Sequence, residues 1–222
     1  MTCAVLLGFS TAGKSTILRR FGEKYSEQEL FRIDTDQRVA MDYIDPNDGK
    51  AHMYEVFLKR LDGSNRDHAL SYIHTRERVT LNWMRNDGRP RLIAAGPFLP
   101  MREPEWSDFV RREHPVCFLL DLTPEEVYQG LINRRTRHEE QRINNRVGFG
   151  CWDDGVTTTY NGSEWVLLPA AEAMEKINRL LTNATSRYSK YCEGRIFKAR
   201  DSNAQVILDR QITDVLGLST SR

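Results

Sequence analysis

Eight residues near the start of the chain, Gly8-Phe9-Ser10-Thr11-Ala12-Gly13-Lys14-Ser15, follow the pattern G-x-x-x-x-G-K-[ST], and Thr16 comes next. Residue types at this spacing hold a triphosphate. Glycines let the backbone curl so that successive N–H groups converge on phosphate oxygens. A helix opening directly after the loop adds its positive N-terminal end. The lysine reaches the β- and γ-phosphates, and the hydroxyl that follows it ligates Mg²⁺. The expected phosphate-binding set is Gly8, Ala12, Gly13, Lys14, Ser15 and Thr16. Lys14 is also an expected catalytic group and Ser15 an expected metal ligand. The expected cofactors are ATP and Mg²⁺.

Two further groups of residues suit the same chemistry. Asp34 and Asp36 stand two apart at the end of the apolar run Leu30-Phe31-Arg32-Ile33. Ligands of open α/β sheets bind at the carboxyl ends of strands, so these carboxylates stand where a ligand would. Capping of a following helix is the alternative for either aspartate. Arg134, Arg135, Arg137, Arg142 and Arg146 crowd one segment. Phosphoryl transfer needs positioning and cations around the moving group, and such a segment can supply them. Its closure would also exclude water as a competing acceptor. The five histidines show no metal-ligand spacing.

These residues need a frame. Apolar runs alternate with helical stretches, the pattern of a parallel sheet covered on both faces. Five runs read as strands: Cys3 to Gly8, Leu30 to Asp34, Arg91 to Gly96, Val116 to Leu122, and Trp165 to Leu168. Helices are expected over Ser15 to Phe21, Ser71 to Met84, Glu105 to Glu113, from Thr123 toward Arg135, and over Ala170 to Leu181. Thr123-Pro124-Glu125-Glu126 has Thr at the N-cap, Pro at the first helical position and Glu at the third, a capping box. Residues 37–70, 136–163 and 184–222 break the alternation.

Composition narrows the class. The chain has 222 residues, 40% of them hydrophobic, enough for one sizeable core. A net charge of +1 gives no overall field toward nucleic acid or membrane. No apolar run approaches the ~20 residues a membrane span needs. The apolar start, Met1 to Gly8, is too short for a signal sequence and reads as a buried strand. Cys3, Cys117, Cys151 and Cys192 are scattered, without CxxC spacing, and Cys3 and Cys117 read as buried free thiols. The expected location is the cytoplasm, where thiols stay reduced. The tail mixes Arg187, Lys190, Arg195, Lys198 and Arg200 with Tyr188, Tyr191 and Phe197. An extension packed on the sheet is expected there rather than an RNA-binding surface.

Beyond the loop, the order of motifs resembles shikimate kinase and its gluconate-kinase-type relatives, within the nucleoside monophosphate kinase group. Four segments carry the resemblance: Gly8 to Thr16, Leu30 to Gln37 with its Asp-x-Asp, Leu92 to Pro97 ending in a glycine turn, and Phe118 to Val127 leading into Asn133 to Arg137. It covers roughly residues 1–137. It implies a three-layer α/β P-loop kinase fold on a five-stranded parallel sheet, with a substrate-binding helical insertion and a lid; residues 184–222, after the last expected helix, read as a C-terminal extension. It places Asp34 near the magnesium and its waters, and has Asp36 hold substrate hydroxyls and help orient or deprotonate the attacking one. Arg76, with Arg78 close by, would bind a substrate carboxylate, and Gly96 would offer its backbone to the substrate. A lid arginine would reach over the phosphates. Arg137 fits best, with Arg134, also placed among the phosphate ligands, and Arg135 as rivals.

The chain also departs from that pattern. Gly96-Pro97-Phe98 stands where the family has a glycine triplet, and His138-Glu139-Glu140-Gln141 follows Arg137. Gly148 to Asp154 has no counterpart, and Trp152 there, with Asp153 and Asp154, reads as the anchor of a turn, with a place in the acceptor pocket as the alternative. The expectation is an ATP- and Mg²⁺-dependent kinase acting on a hydroxyl of a small polar metabolite other than shikimate. A toxin-type nucleotide or nucleotide-sugar kinase and a nucleotide-binding switch protein are the alternatives. The expected domain is 1–183, with an acceptor-binding region at 37–85 and a lid at 134–163, followed by an extension at 184–222. The expected state is a monomer or homodimer that meets a small-molecule acceptor and neither membrane nor nucleic acid.

Overall fold

The computed structural model describes residues 2–9, 11–34, 88–95, 103–143, 158–160 and 165–218, with side chains except at 103–105, 134–143, 158–160 and 165–167. The chain divides into two compact units. The first comprises Met1–Asp36, Glu77–Leu122 and Thr182–Arg222; the second comprises Gln37–Arg76 and Thr123–Leu181.

The first unit is built on a parallel sheet. Its strands are β1 (Cys3–Gly8), β2 (Phe31–Asp34), β3 (Arg91–Ala94), β4 (Val116–Asp121) and β7 (Ile196–Lys198), in the order β2-β3-β1-β4-β7. Every pair is parallel. β1 sits at the centre and is buried at all six positions, which explains its unbroken apolar run. Its side chains alternate between two faces. Cys3, Val5 and Leu7 join Ile33, Ile93, Cys117 and Leu119 in one cluster. Trp106 and Phe109 from helix α2 (Glu103–Glu113) and Ala184, Tyr188 and Cys192 from helix α4 (Ala170–Cys192) cover it. Helices α1 (Lys14–Lys24) and α5 (Ser202–Leu216) also lie against β1. They bury Ile17, Leu18 and Phe21, and Leu208, Ile212 and Leu216. The expected three-layer architecture and five-stranded parallel sheet are present.

The fifth strand is not the expected one. Trp165 to Leu168 reads as a sheet strand, but β6 (Trp165–Leu167) pairs antiparallel with β5 (Thr158–Tyr160) in a separate hairpin. The place beside β4 belongs to Ile196–Lys198, from the segment read as an extension. The reason lies in the edge position. β7 is three residues long, and its pattern is exposed, half-buried, exposed. An edge strand of that length shows neither an apolar run nor a full alternation.

The second unit contains helix α3 (Pro124–Ile143), the β5–β6 hairpin and the first part of α4. The capping box forms as expected. The Thr123 N–H donates to Glu126 Oε2 at 2.8 Å, and the Glu126 N–H donates to Thr123 Oγ1 at 3.2 Å. α3 runs on to Ile143, beyond the expected end near Arg135. α4 continues to Cys192 rather than stopping at Leu181. The expected acceptor-binding region 37–85 lies outside the described residues. Among the described residues no helix is long and apolar enough to cross a membrane.

Candidate functional site

The loop between β1 and α1 begins at Gly8, whose φ is +146°. A Cβ there would stand 2.8 Å from the Leu120 backbone oxygen of β4. The strand therefore ends in the one residue that can turn this close to its neighbour. The loop then folds on itself, with the Ala12 N–H donating to the Phe9 carbonyl at 3.2 Å. Gly13, at φ +85°, is the N-cap of α1 and has no side chain to cap with. The first turn of α1 contains no acidic residue. The helix thus begins with amide donors and a positive dipole end that no carboxylate in that turn neutralises.

Lys14 is buried at 8% exposure, and its ammonium donates to the Gly8 carbonyl at 2.8 Å and the Phe9 carbonyl at 3.1 Å. A lysine charge is costly to bury without such acceptors. Here the backbone of the loop supplies them and holds the charge across the loop. Ser15 Oγ donates to Asp34 Oδ2 at 2.5 Å. The two residues come from different elements, the first turn of α1 and the carboxyl end of β2. They bring a hydroxyl and a carboxylate together beside the loop. Both are hard oxygen donors, the kind that suits Mg²⁺. Among the described residues no cluster of three His, Cys, Asp or Glu could hold a metal. Mg²⁺ on a nucleotide needs only one or two protein oxygens, because phosphates and water fill the rest, so the pair fits that ion.

Gly8, Ala12, Gly13, Lys14, Ser15 and Thr16 thus share one turn, and Asp34 joins them. Asp36, Arg76 and Gly96 lie outside the described residues. Arg134 and Arg137 lie on α3, in the second unit, and their side chains are outside the described part.

Sequence reasoning missed a third contributor. Arg200, in the turn between β7 and α5, donates from Nη2 to the Thr11 carbonyl at 3.1 Å. Next to it a groove opens beside the loop, lined by Gly13, Thr16, Arg20, Phe197, Arg200 and Gln205 among others. The sequence marks Arg200 only as one basic residue of a mixed tail, because its partner lies 189 positions away.

The described cysteines lie in the core rather than at the loop. Cys3, Cys117 and Cys192 are free and buried. Burial pushes the Cys3 and Cys192 thiols up to about 12 and raises that of Cys117 further. Cys3 and Cys117 are thus the buried thiols expected, and Cys192 is a third.

Comparison of the whole chain with solved structures decides the architecture. A shikimate kinase from Bacteroides thetaiotaomicron matches with a TM-score of 0.55 at 17% identity, over 98% of this chain and 99% of that one. A shikimate kinase from Acinetobacter baumannii, in complex with shikimate, matches with a TM-score of 0.58 at 15% identity, over 100% and 96%. This chain has a shikimate kinase-like P-loop kinase fold. A deoxyadenosine kinase from M. mycoides with bound dATP matches with a TM-score of 0.50 at 13% identity, over 96% and 100%. No protein-family model and no curated protein matches the chain.

Proposed function

We propose that the protein is a cytoplasmic P-loop kinase that transfers the γ-phosphoryl group of ATP, with Mg²⁺, to a hydroxyl of a small polar metabolite. One observation carries the reading: Lys14 lies across the loop, and Ser15 Oγ meets Asp34 at 2.5 Å at the mouth of an uncapped helix. A buried ammonium, converging backbone amides and a hard-oxygen pair are what a nucleoside triphosphate with its metal requires.

In this reading the Lys14 ammonium exchanges the Gly8 and Phe9 carbonyls for β- and γ-phosphate oxygens. The amides of Gly13 to Thr16 face the β-phosphate. Ser15 and Asp34 would hold a magnesium ion, which would neutralise charge on the phosphates. The groove beside Thr16 and Arg200 takes the nucleoside. Asp36 orients the acceptor hydroxyl and takes its proton as the new P–O bond forms and the bond to the β-phosphate oxygen breaks. Arg76 and Gly96 contact the acceptor. Arg134 and Arg137, on a lid spanning residues 134–163, bring cations over the transferring group. Pro97 removes an N–H beside Gly96, and Phe98 adds bulk, so the acceptor is a compound other than shikimate.

The test is a phosphorylation screen over hydroxylated metabolites, nucleosides and aminoglycosides, read by mass shift. One acceptor should gain a phosphoryl group in the presence of Mg-ATP. Lys14→Ala should abolish transfer, and Asp36→Ala should depress it. Full activity in Lys14→Ala would overturn the kinase reading. Full transfer in Asp36→Ala would overturn only the acceptor assignment. ATP hydrolysis without any acceptor would favour a nucleotide-dependent switch.

A further inference from the structure

Thr11 sits in the phosphate loop with φ +72°. A β-branched residue in the left-handed region is strained, and such strain persists only where the surroundings impose it. Its hydroxyl does not compensate, since Thr11 Oγ1 is buried without a hydrogen-bond partner among the described residues. Its carbonyl is held by Arg200.

Arg200 is itself held in place. The Ala199 N–H donates to the Asp121 carbonyl at 2.9 Å, and the Ala199 carbonyl accepts from Gln205 Nε2 at 2.7 Å. Asp201 Oδ1 caps α5 by accepting from the N–H groups of Asn203 and Ala204. Gln205 Oε1 in turn accepts from Arg20 Nη1 at 2.9 Å, and Arg20 Nη2 pairs with Asp209 at 2.8 Å. Arg20 belongs to α1, the helix that the phosphate loop opens. The contacts therefore close a ring that runs from the loop through α1, Arg20, Gln205, Ala199 and Arg200 back to the loop at Thr11.

The ring also fixes which way the Gln205 amide points. Arg20 can only donate and the Ala199 carbonyl can only accept, so oxygen faces Arg20 and nitrogen faces Ala199. Every link is thus directional. The Arg200 guanidinium arrives at Thr11 from a turn that has little freedom to move.

We propose that Arg200 is a positioning residue that holds the phosphate loop in its anion-binding shape by restraining the Thr11 carbonyl. The proposal rests on the nucleotide reading of the loop, but the restraint acts on the nucleotide-free protein. Arg200 thereby offsets the strain that a threonine brings to a position suited to glycine.

A double-mutant cycle on the whole protein tests this. Arg200→Ala should lower the melting temperature of the nucleotide-free protein by a few degrees. It should weaken Mg-ATP binding about tenfold, the scale of losing one hydrogen bond from a charged donor. Thr11→Gly removes the strain. In that background the residue 11 carbonyl still accepts from Arg200, so Arg200→Ala should still lower the melting temperature, but by less than in the parent, and should change Mg-ATP affinity by less than about twofold. Arg200→Lys keeps a charged donor and should recover most of the lost melting temperature. Two results would overturn the proposal. One is an unchanged melting temperature for nucleotide-free Arg200→Ala. The other is an equal loss of affinity in both backgrounds, which would make Arg200 a direct ligand of the nucleotide. If the parent protein fails to bind Mg-ATP, the nucleotide reading falls, and the melting arm still decides the restraint.

Discussion

Replacing Gly8 by alanine should damage the protein more than replacing Gly13, although both are motif glycines. Gly8 has φ +146°, and an added Cβ would lie 2.8 Å from the Leu120 carbonyl oxygen and 3.2 Å from the Cβ atoms of Ala12 and Leu120. The nearest neighbour is backbone of β4, bonded into the centre of the sheet, and cannot swing aside. The change therefore combines backbone strain of about 1–3 kcal/mol with an overpacking cost of about 1–3 kcal/mol. Gly13 has φ +85° and nothing within 4 Å of its added Cβ, so it meets the conformational cost alone. That cost is about 1–2 kcal/mol. For a chain of this size each kcal/mol moves the melting temperature by about 2–4 °C. Gly8→Ala should then melt about 4–24 °C below the parent, and Gly13→Ala about 2–8 °C below it. The assay is thermal unfolding by circular dichroism without nucleotide. Equal melting temperatures for the two variants, or a Gly8→Ala melt within about 2 °C of the parent, would refute the reasoning from the Leu120 contact.

Glu113→Ala should destabilise the protein by about 3 kcal/mol, because it strands Arg91, 2% exposed, without its carboxylate. Chemical denaturation would measure this, and an apolar pair at both positions should restore most of the loss. Asp34→Asn should weaken Mg-ATP binding while leaving metal-free nucleotide binding nearly unchanged, and titration calorimetry with and without Mg²⁺ separates the two. The buried thiols predict alkaline sensitivity. Cys3 and Cys192 are raised from 9.0 to about 12, so above pH 9 the unfolded chain loses protons that the folded chain keeps. Stability is then intact below pH 9 and falls toward pH 12, by up to about 1.4 kcal/mol per pH unit for each thiol. Denaturation midpoints at pH 8, 9.5 and 10.5 should show the decline, and a flat profile would contradict it.

How much of the molecule the sequence reveals depends on how far apart the interacting residues lie. The phosphate loop is legible because its work is done by contiguous backbone, and its glycines and lysine must stand at set positions. The start of α3 is legible because Thr123 and Glu126 satisfy each other three residues apart. β1 is legible because both faces are buried, so every residue of the strand is apolar or glycine. The pairing of Ser15 with Asp34 spans 19 positions; the strand-end position marks Asp34 as a ligand carboxylate, and only the resemblance ties it to the metal beside Ser15. The edge strand β7 is not legible: Ile196 and Lys198 are exposed, and three residues carry too little pattern. Trp165 to Leu167 has the better apolar signal but serves a hairpin, since an apolar run does not say which sheet its strand joins.

The support of the loop is the extreme case of this rule. Thr11 carries no local sign that it will occupy the left-handed region, and a threonine there argues against it. The conformation follows from what surrounds it. Gly8 can end β1 only because Leu120 leaves room for a hydrogen and nothing more. Gly13 starts α1, and Arg20 from the same helix grips Gln205 at the start of α5. The turn before α5 then returns Arg200 to Thr11. The motif thus specifies what the loop can bind, and residues beyond position 195 specify that it is held ready to bind. Electrostatic preorganisation of this kind makes phosphoryl transfer effective, because the donors need not be gathered when the charge arrives. A phosphate loop with threonine in the left-handed region needs that outside hold more than one with glycine, and here the last described strand and helix provide it.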